Sequence, residues 1–110
     1  MEDTYDKIGP FHEERAKVYK DGRIGFIDSE GHLISPIKWE DASDFSDGLA
    51  CVADPESGNY GYIDKNGREV ISFEWSAALP FKDGKAQVAD EKDNWFMIDK
   101  EGNIIDNYSS

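Results

Sequence analysis

The chain is poor in the residues that most site chemistry needs. Its 110 residues include one cysteine and two histidines. Cys51 has no internal disulfide partner, and within the apolar run LACV it reads as a small buried hydrophobe. His12 and His32 stand far apart in unrelated contexts, so neither a zinc-type ligand set nor a cofactor is expected. G-x-S-x-G, H-E-x-x-H, a Walker loop and G-x-G-x-x-G are all absent, which argues against an enzyme. Basic residues are scarce: 12 Lys and Arg face 24 Asp and Glu, a net charge of -12. A field of that sign repels phosphate backbones and anionic lipid heads, so nucleic acid and membranes are poor partners and basic proteins good ones. High negative charge also serves solubility alone. No apolar run approaches the roughly eighteen residues of a membrane span. The opening MEDTYDKIGP lacks the basic and then apolar pattern of a signal peptide. A cytoplasmic location is the resulting expectation, and Met1 is compatible with a complete protein. Helical periodicity is nearly absent, with at most short turns around residues 40–46 and 76–82.

What the chain has in quantity is a repeat. The stretch YGYIDKNG, from Tyr60 to Gly67, recurs as IGFIDSEG from Ile24 and as WFMIDKEG from Trp95. Phe11, Phe45 and Phe81 are each followed five residues later by Ala16, Ala50 or Ala86, and then by Val18, Val52 or Val88. Next come Ile27, Ile63 and Ile98, each leading into Asp28, Asp64 or Asp99 and then Gly31, Gly67 or Gly102. Trp39 with Ala42, and Trp75 with Ala78, close the first two copies. The units fall at about 11–44, 45–80 and 81–110. Residues 1–10 carry Tyr5 and Ile8 in the register of Trp39 and Ala42, so they complete or cap the array. Together these make one domain over residues 1–110. Three units favour an open stack over a closed ring.

The periods inside a unit are those of strands. Ala16/Val18 and their equivalents alternate with polar neighbours such as Lys17 and Gln87, as a half-buried strand requires. The following strand is apolar on both parities, with Ile24, Phe26 and Ile27 in the first copy, and is expected at the centre of its sheet. Asp-x-x-Gly then fits a tight turn, the aspartate bonding amides ahead of it and the glycine supplying a positive φ. A third strand follows in HLIS, REVIS and NII, and Pro36 is expected to interrupt its pairing. The fold class is all-β: tandem antiparallel β-hairpin units of about 35 residues stacked in an open array.

These residues resemble the bacterial WG repeat, also called the KWG repeat. The second copy carries the resemblance best, through Phe45, Gly48, Ala50, Val52, Tyr60, Gly61, Tyr62, Ile63, Asp64, Gly67, Val70, Ile71, Trp75 and Ala78. It extends over essentially residues 5 to 108. Ile24 and Tyr60 stand where that family has tryptophan, and Phe96 replaces the glycine seen as Gly25 and Gly61. Phe96 suggests that nothing packs there, making the third unit terminal or a contact face. The resemblance implies repeat-built β structure and no catalytic residues or cofactor.

Positions shared by all copies serve folding first, so function is sought where the copies differ. Asp28, Asp64 and Asp99 admit a calcium or acid/base reading, but the turn already accounts for them. The loops ADPESGN and ADEKDN supply Asp54, Glu56, Asp90, Glu91 and Asp93, expected as an acidic rim beside Trp95 and Phe96. A second acidic cluster comprises Glu2, Asp3, Asp6, Glu13 and Glu14. The expected activity is non-enzymatic binding of a basic protein, as an inhibitor or immunity-type protein neutralises a toxin or nuclease. The alternatives are a glycan- or peptide-binding repeat using exposed Tyr60, Tyr62, Trp95, Trp39 and Trp75, or a structural repeat that stacks. The partner and the oligomeric state are left open.

Overall fold

A computed structural model describes residues 5–107. It contains twelve strands in three antiparallel sheets of four, and no helix among the described residues. The first sheet is β1 (Lys7–His12), β2 (Arg15–Lys20), β3 (Arg23–Asp28) and β4 (Leu33–Trp39), paired in chain order. The second is β5 (Asp41–Ala42), β6 (Leu49–Ala53), β7 (Tyr60–Asp64) and β8 (Glu69–Trp75). The third is β9 (Ala77–Ala78), β10 (Lys85–Ala89), β11 (Trp95–Asp99) and β12 (Ile104–Asn107). The sheets stack face to face into an elongated body of 53 × 27 × 19 Å. The array is open: β1 pairs with β2 of its own sheet, so the N-terminal segment completes the first sheet.

Each sheet begins a few residues before the expected unit, because the segment ahead of each phenylalanine pairs forwards. Asp41 and Ala42 bond to Ala53 and Val52, and Ala77 and Ala78 to Ala89 and Val88. These short strands stand where turns were expected. The central strands are buried on both parities in the first two sheets, as their apolar runs require. The middle sheet is enclosed by its neighbours, so β6 is buried throughout instead of alternating. Pro36 does not end its strand. It lies in a bulge where the register slips between Ile24↔Trp39 and Phe26↔Ser35, and β8 has the same slip without a proline.

That bulge explains the glycine of the central strand. In the second sheet the β8 backbone swings Phe73 across Gly61, where an added Cβ would come within 2.8 Å of its ring.

Two seams hold the stack together. In the first, Phe45 enters the face formed by Ile24, Phe26 and Trp39, meeting Phe26 edge-on at 4.9 Å between centroids. In the second, Phe81 enters the face formed by Leu49, Cys51, Tyr62 and Trp75, meeting Tyr62 edge-on at 4.8 Å. Both phenylalanines are nearly inaccessible, at 3% and 0%, and burying such a ring stabilises by about 1.5–3 kcal/mol. On the outer face of the first sheet, Tyr5 and Ile37 pack on Ala16, Val18 and Ile27.

A polar ladder runs along the turns beside these rings. The two-residue turns Glu13–Glu14, Asp47–Gly48 and Asp83–Gly84 all have positive φ, the geometry that closes tight hairpins. Glu13 accepts hydrogen bonds from the Asp47 and Gly48 N–H groups, each at 2.8 Å. Asp47 in turn accepts one from the Gly84 N–H. The acid of each turn thus holds the turn of the next sheet.

Candidate functional site

One edge of the stack carries the Asp21–Gly22 turn and the longer connections Asp54–Asn59 and Asp90–Asn94; the opposite edge carries the Asp-x-x-Gly turns and the turns of the ladder. At the tight-turn edge the three Asp-x-x-Gly carboxylates are occupied. Asp28 accepts from the Glu30 and His32 N–H groups, Asp64 from Asn66 and Arg68, and Asp99 from Glu101 and Asn103, all at 2.8–2.9 Å. The His32 and Asn103 backbone bonds are the main reason Asp28 and Asp99 titrate below the ordinary carboxylate value. Each aspartate is folding its own turn. Asp28, Glu30 and His32 nevertheless bring three ligand-type atoms within 4.8 Å of one another at the surface. Their alternating spacing in DSEGH passes unnoticed when histidines are counted one by one.

At the long-loop edge the expected acidic set divides in two. Asp54 Oδ2 accepts from the Ser57 N–H and hydroxyl. Asp90 Oδ1 accepts from the Lys92 and Asn94 N–H groups and Oδ2 from the Asn94 side chain, which hold its carboxyl below its usual value. These two carboxylates shape their loops. Glu56, Glu91 and Asp93 are exposed, and none of their carboxylates takes part in a hydrogen bond or ion pair among the described residues. Asp93 sits at a positive φ of 65°.

The two aromatics expected on this rim also part company. Trp95 is half-buried at the foot of the β10–β11 loop, paired with Ala89. Phe96 does not mark an unpacked surface; its ring lies 5.8 Å from that of Trp75 and closes the second seam. Alternation along β11 sends the two side chains to opposite faces of the sheet.

Between the second and third sheets this edge opens into a groove of about 520 Å³ lined by Asn59, Glu74, Ser76, Asp90, Glu91, Asn94 and one cation, Lys92. Glu74 and Ser76 come from the end of β8 and the residue after it, and their part in the groove was not legible from the loops. Phe73 contributes the apolar part of the wall. Asp6, from the second acidic cluster, accepts from the Asp21 N–H, and Glu13 belongs to the turn ladder; Glu2 and Asp3 lie outside the described residues.

The aromatics do not form a platform. Trp39, Tyr62 and Trp75 are core residues and Tyr60 is half-buried. Burial, together with its hydrogen bond to Asp41 at 2.8 Å, pushes the Tyr60 hydroxyl up to about 12. Burial raises Tyr62 further; its hydroxyl donates to the Leu79 carbonyl at 2.6 Å. The Cys51 thiol is buried, and desolvation pushes its pKa up so that it stays protonated, which suits a packing role.

No helix among the described residues is long and apolar enough to cross a membrane. No curated protein matches the chain. The pattern of the WG containing repeat matches three times, over residues 4–23, 24–53 and 60–92, which is most of the chain. With those matches covering most of a chain folded as three tandem sheets, the chain belongs to the WG containing repeat family.

Proposed function

We propose that the chain is a non-enzymatic acidic binding module whose groove between the second and third sheets receives lysine or arginine side chains of a basic protein. The observation that supports this most directly is the contrast among its carboxylates. Asp28, Asp54, Asp64, Asp90 and Asp99 are taken up by backbone donors, whereas Glu74 and Glu91 line the groove, and Glu56 and Asp93 stand on the loops beside it, with no donor of their own among the described residues. Charged donors from a partner would supply what these groups lack. A small protein of charge -12 suits an inhibitor or immunity-type role, in which it covers the basic substrate cleft of a toxin or nuclease. A glycan- or peptide-binding role through exposed aromatics has less to rest on, because three of the five rings are in the core.

The test is a pull-down from native lysate at low and high salt, comparing the native chain with a Glu74→Lys, Glu91→Lys, Asp93→Lys variant. Asp90 is left intact because its replacement would open the loop it holds. A stoichiometric basic protein, released by salt and lost by the variant, is the expected result. A partner that the variant retains equally well overturns this siting, and a lysate without a basic partner overturns the module.

A further inference from the structure

The two ends of the stack present complementary halves of a seam that the molecule already makes twice. We infer that the chain associates head to tail with a second copy of itself, Phe11 of one copy entering a hollow beside Met97 of the next.

The hollow lies on the outer face of the third sheet and measures about 350 Å³. Its walls include Leu79, Asp83, Lys85, Gln87 and Met97. In the repeat these occupy the places of Ser43, Asp47, Leu49, Cys51 and Tyr62, among which Leu49, Cys51 and Tyr62 enclose the Phe81 ring in the second seam. The socket is therefore a third version of a site whose other two versions hold a phenylalanine, and among the described residues no ring fills it.

The matching plug is at the other end. Phe11 aligns with Phe45 and Phe81, yet it is 49% exposed where they are 3% and 0%. The repeat gives Phe11 a seam residue's identity, and only a preceding sheet is missing.

The ladder of turns ends the same way. Glu13 holds the Asp47 turn and Asp47 the Asp83 turn, but the Asp83 carboxylate accepts no hydrogen bond among the described residues. The Glu13–Glu14 turn has the positive φ values of the turns so held. Its N–H groups are the donors Asp83 would take in a further repetition. Lys82 and Lys85 border the socket, while Glu13 and Glu14 flank the plug, so charge at the contact is complementary despite the repulsion between two chains of net charge -12. At about 0.15 M salt that repulsion is screened beyond about 8 Å.

Such a contact is heterologous, so it propagates and does not stop at a dimer. Sedimentation velocity from micromolar to millimolar concentration, at physiological salt, should show average mass rising without a plateau at two copies. Phe11→Ser and Met97→Glu alter side chains that are about half exposed or only partly buried, and circular dichroism checks that each variant folds. Each should weaken association about tenfold or more, as expected for removal of a central aromatic contact. Mixing the two variants leaves one intact plug and one intact socket, so the mixture should form a 1:1 dimer and nothing larger. A native chain that stays monomeric at millimolar concentration overturns the inference. So does assembly that survives Phe11→Ser, or a mixture that forms no dimer. Lysine at Glu74, Glu91 and Asp93 should not abolish this assembly, which separates its fate from that of the acidic groove.

Discussion

The two seams use the same repeat positions and different atoms. In the first, Trp39 donates its indole N–H to Ser35 Oγ at 2.7 Å, fully inside the core. In the second, Ile71 stands in the place of Ser35, and the Trp75 N–H is buried without a partner among the described residues. The polar tie has moved to Tyr62, whose hydroxyl reaches the Leu79 carbonyl; the first seam has Phe26 there. The ring over each tryptophan has moved as well. Phe73 covers Trp39 from the last strand of its sheet, lying across Gly61, whereas Phe96 covers Trp75 from the position of that glycine. A repeat therefore specifies where a ring and a tie must be, and leaves open which strand supplies them.

The largest effect should come from removing the rings that enter the seams. Phe81→Ala and Phe45→Ala each leave a cavity in a closed core, and such truncations cost about 3–5 kcal/mol. Against the 5–15 kcal/mol typical of a whole domain, either is severe. Phe11→Ala should change stability by less than about 0.5 kcal/mol, since half of the ring is already in water. Urea melts at low micromolar concentration, where association does not contribute, give the ranking. Because stacked units unfold in part, Phe81→Ala should also speed amide exchange in β10 to β12 before it affects β1 to β4. Equal losses for Phe11 and Phe45 would show that the first sheet packs on its phenylalanine in a way the seams do not.

The tryptophans allow a finer comparison. Trp39→Phe loses ring area and a hydrogen bond, and it deprives the Ser35 hydroxyl of its donor. Trp75→Phe loses similar area but removes a donor that was buried without an acceptor. An unmade buried hydrogen bond costs about 1–3 kcal/mol, so Trp75→Phe should be the milder substitution by about 1–2 kcal/mol. Thermal melts of the two variants decide it, and equal costs would mean that the Trp75 N–H finds a partner in solution.

These residues also mark how far the sequence could be read. Strand order, the Asp-x-x-Gly turns, the paired Ala and Val and the open array were legible because each depends on local spacing. The short strands β5 and β9 were not, since two residues carry no periodicity and their pairing is decided by the phenylalanine that follows. The pairing is interrupted at Pro36 as expected, but β8 slips at the same place without a proline, so the bulge behind the interruption is visible only in the register between strands. Phe96 was misread because what replaces a glycine depends on which strand crosses it. In the acidic loops, composition gave Asp54 and Asp90 the same role as Glu91. The distinction rests on side-chain reach: an aspartate at the first loop position folds back onto amides two to four residues ahead. Asp-Gly at 47–48 and 83–84 is a strong hairpin signal in its own right, and it points to the turns that link the sheets.

The smallest difference between units lies in those turns. Asp47–Gly48 and Asp83–Gly84 place glycine at the second left-handed position, but the first unit places Glu14 there at φ 68°. A residue with a Cβ is disfavoured in that conformation by about 1 kcal/mol or somewhat more, and glycine offsets part of the gain with its greater freedom in the unfolded chain. Glu14→Gly should therefore stabilise by about 0.5 kcal/mol, read as a small rise in melting temperature. Gly84→Ala is the reverse experiment, and a clean one: a Cβ there meets nothing within 4 Å, so its cost of about 0.5 kcal/mol measures backbone conformation alone. If Gly84→Ala carries that cost and Glu14→Gly returns nothing, the glutamate side chain is stabilising the first turn by as much as its backbone strains it.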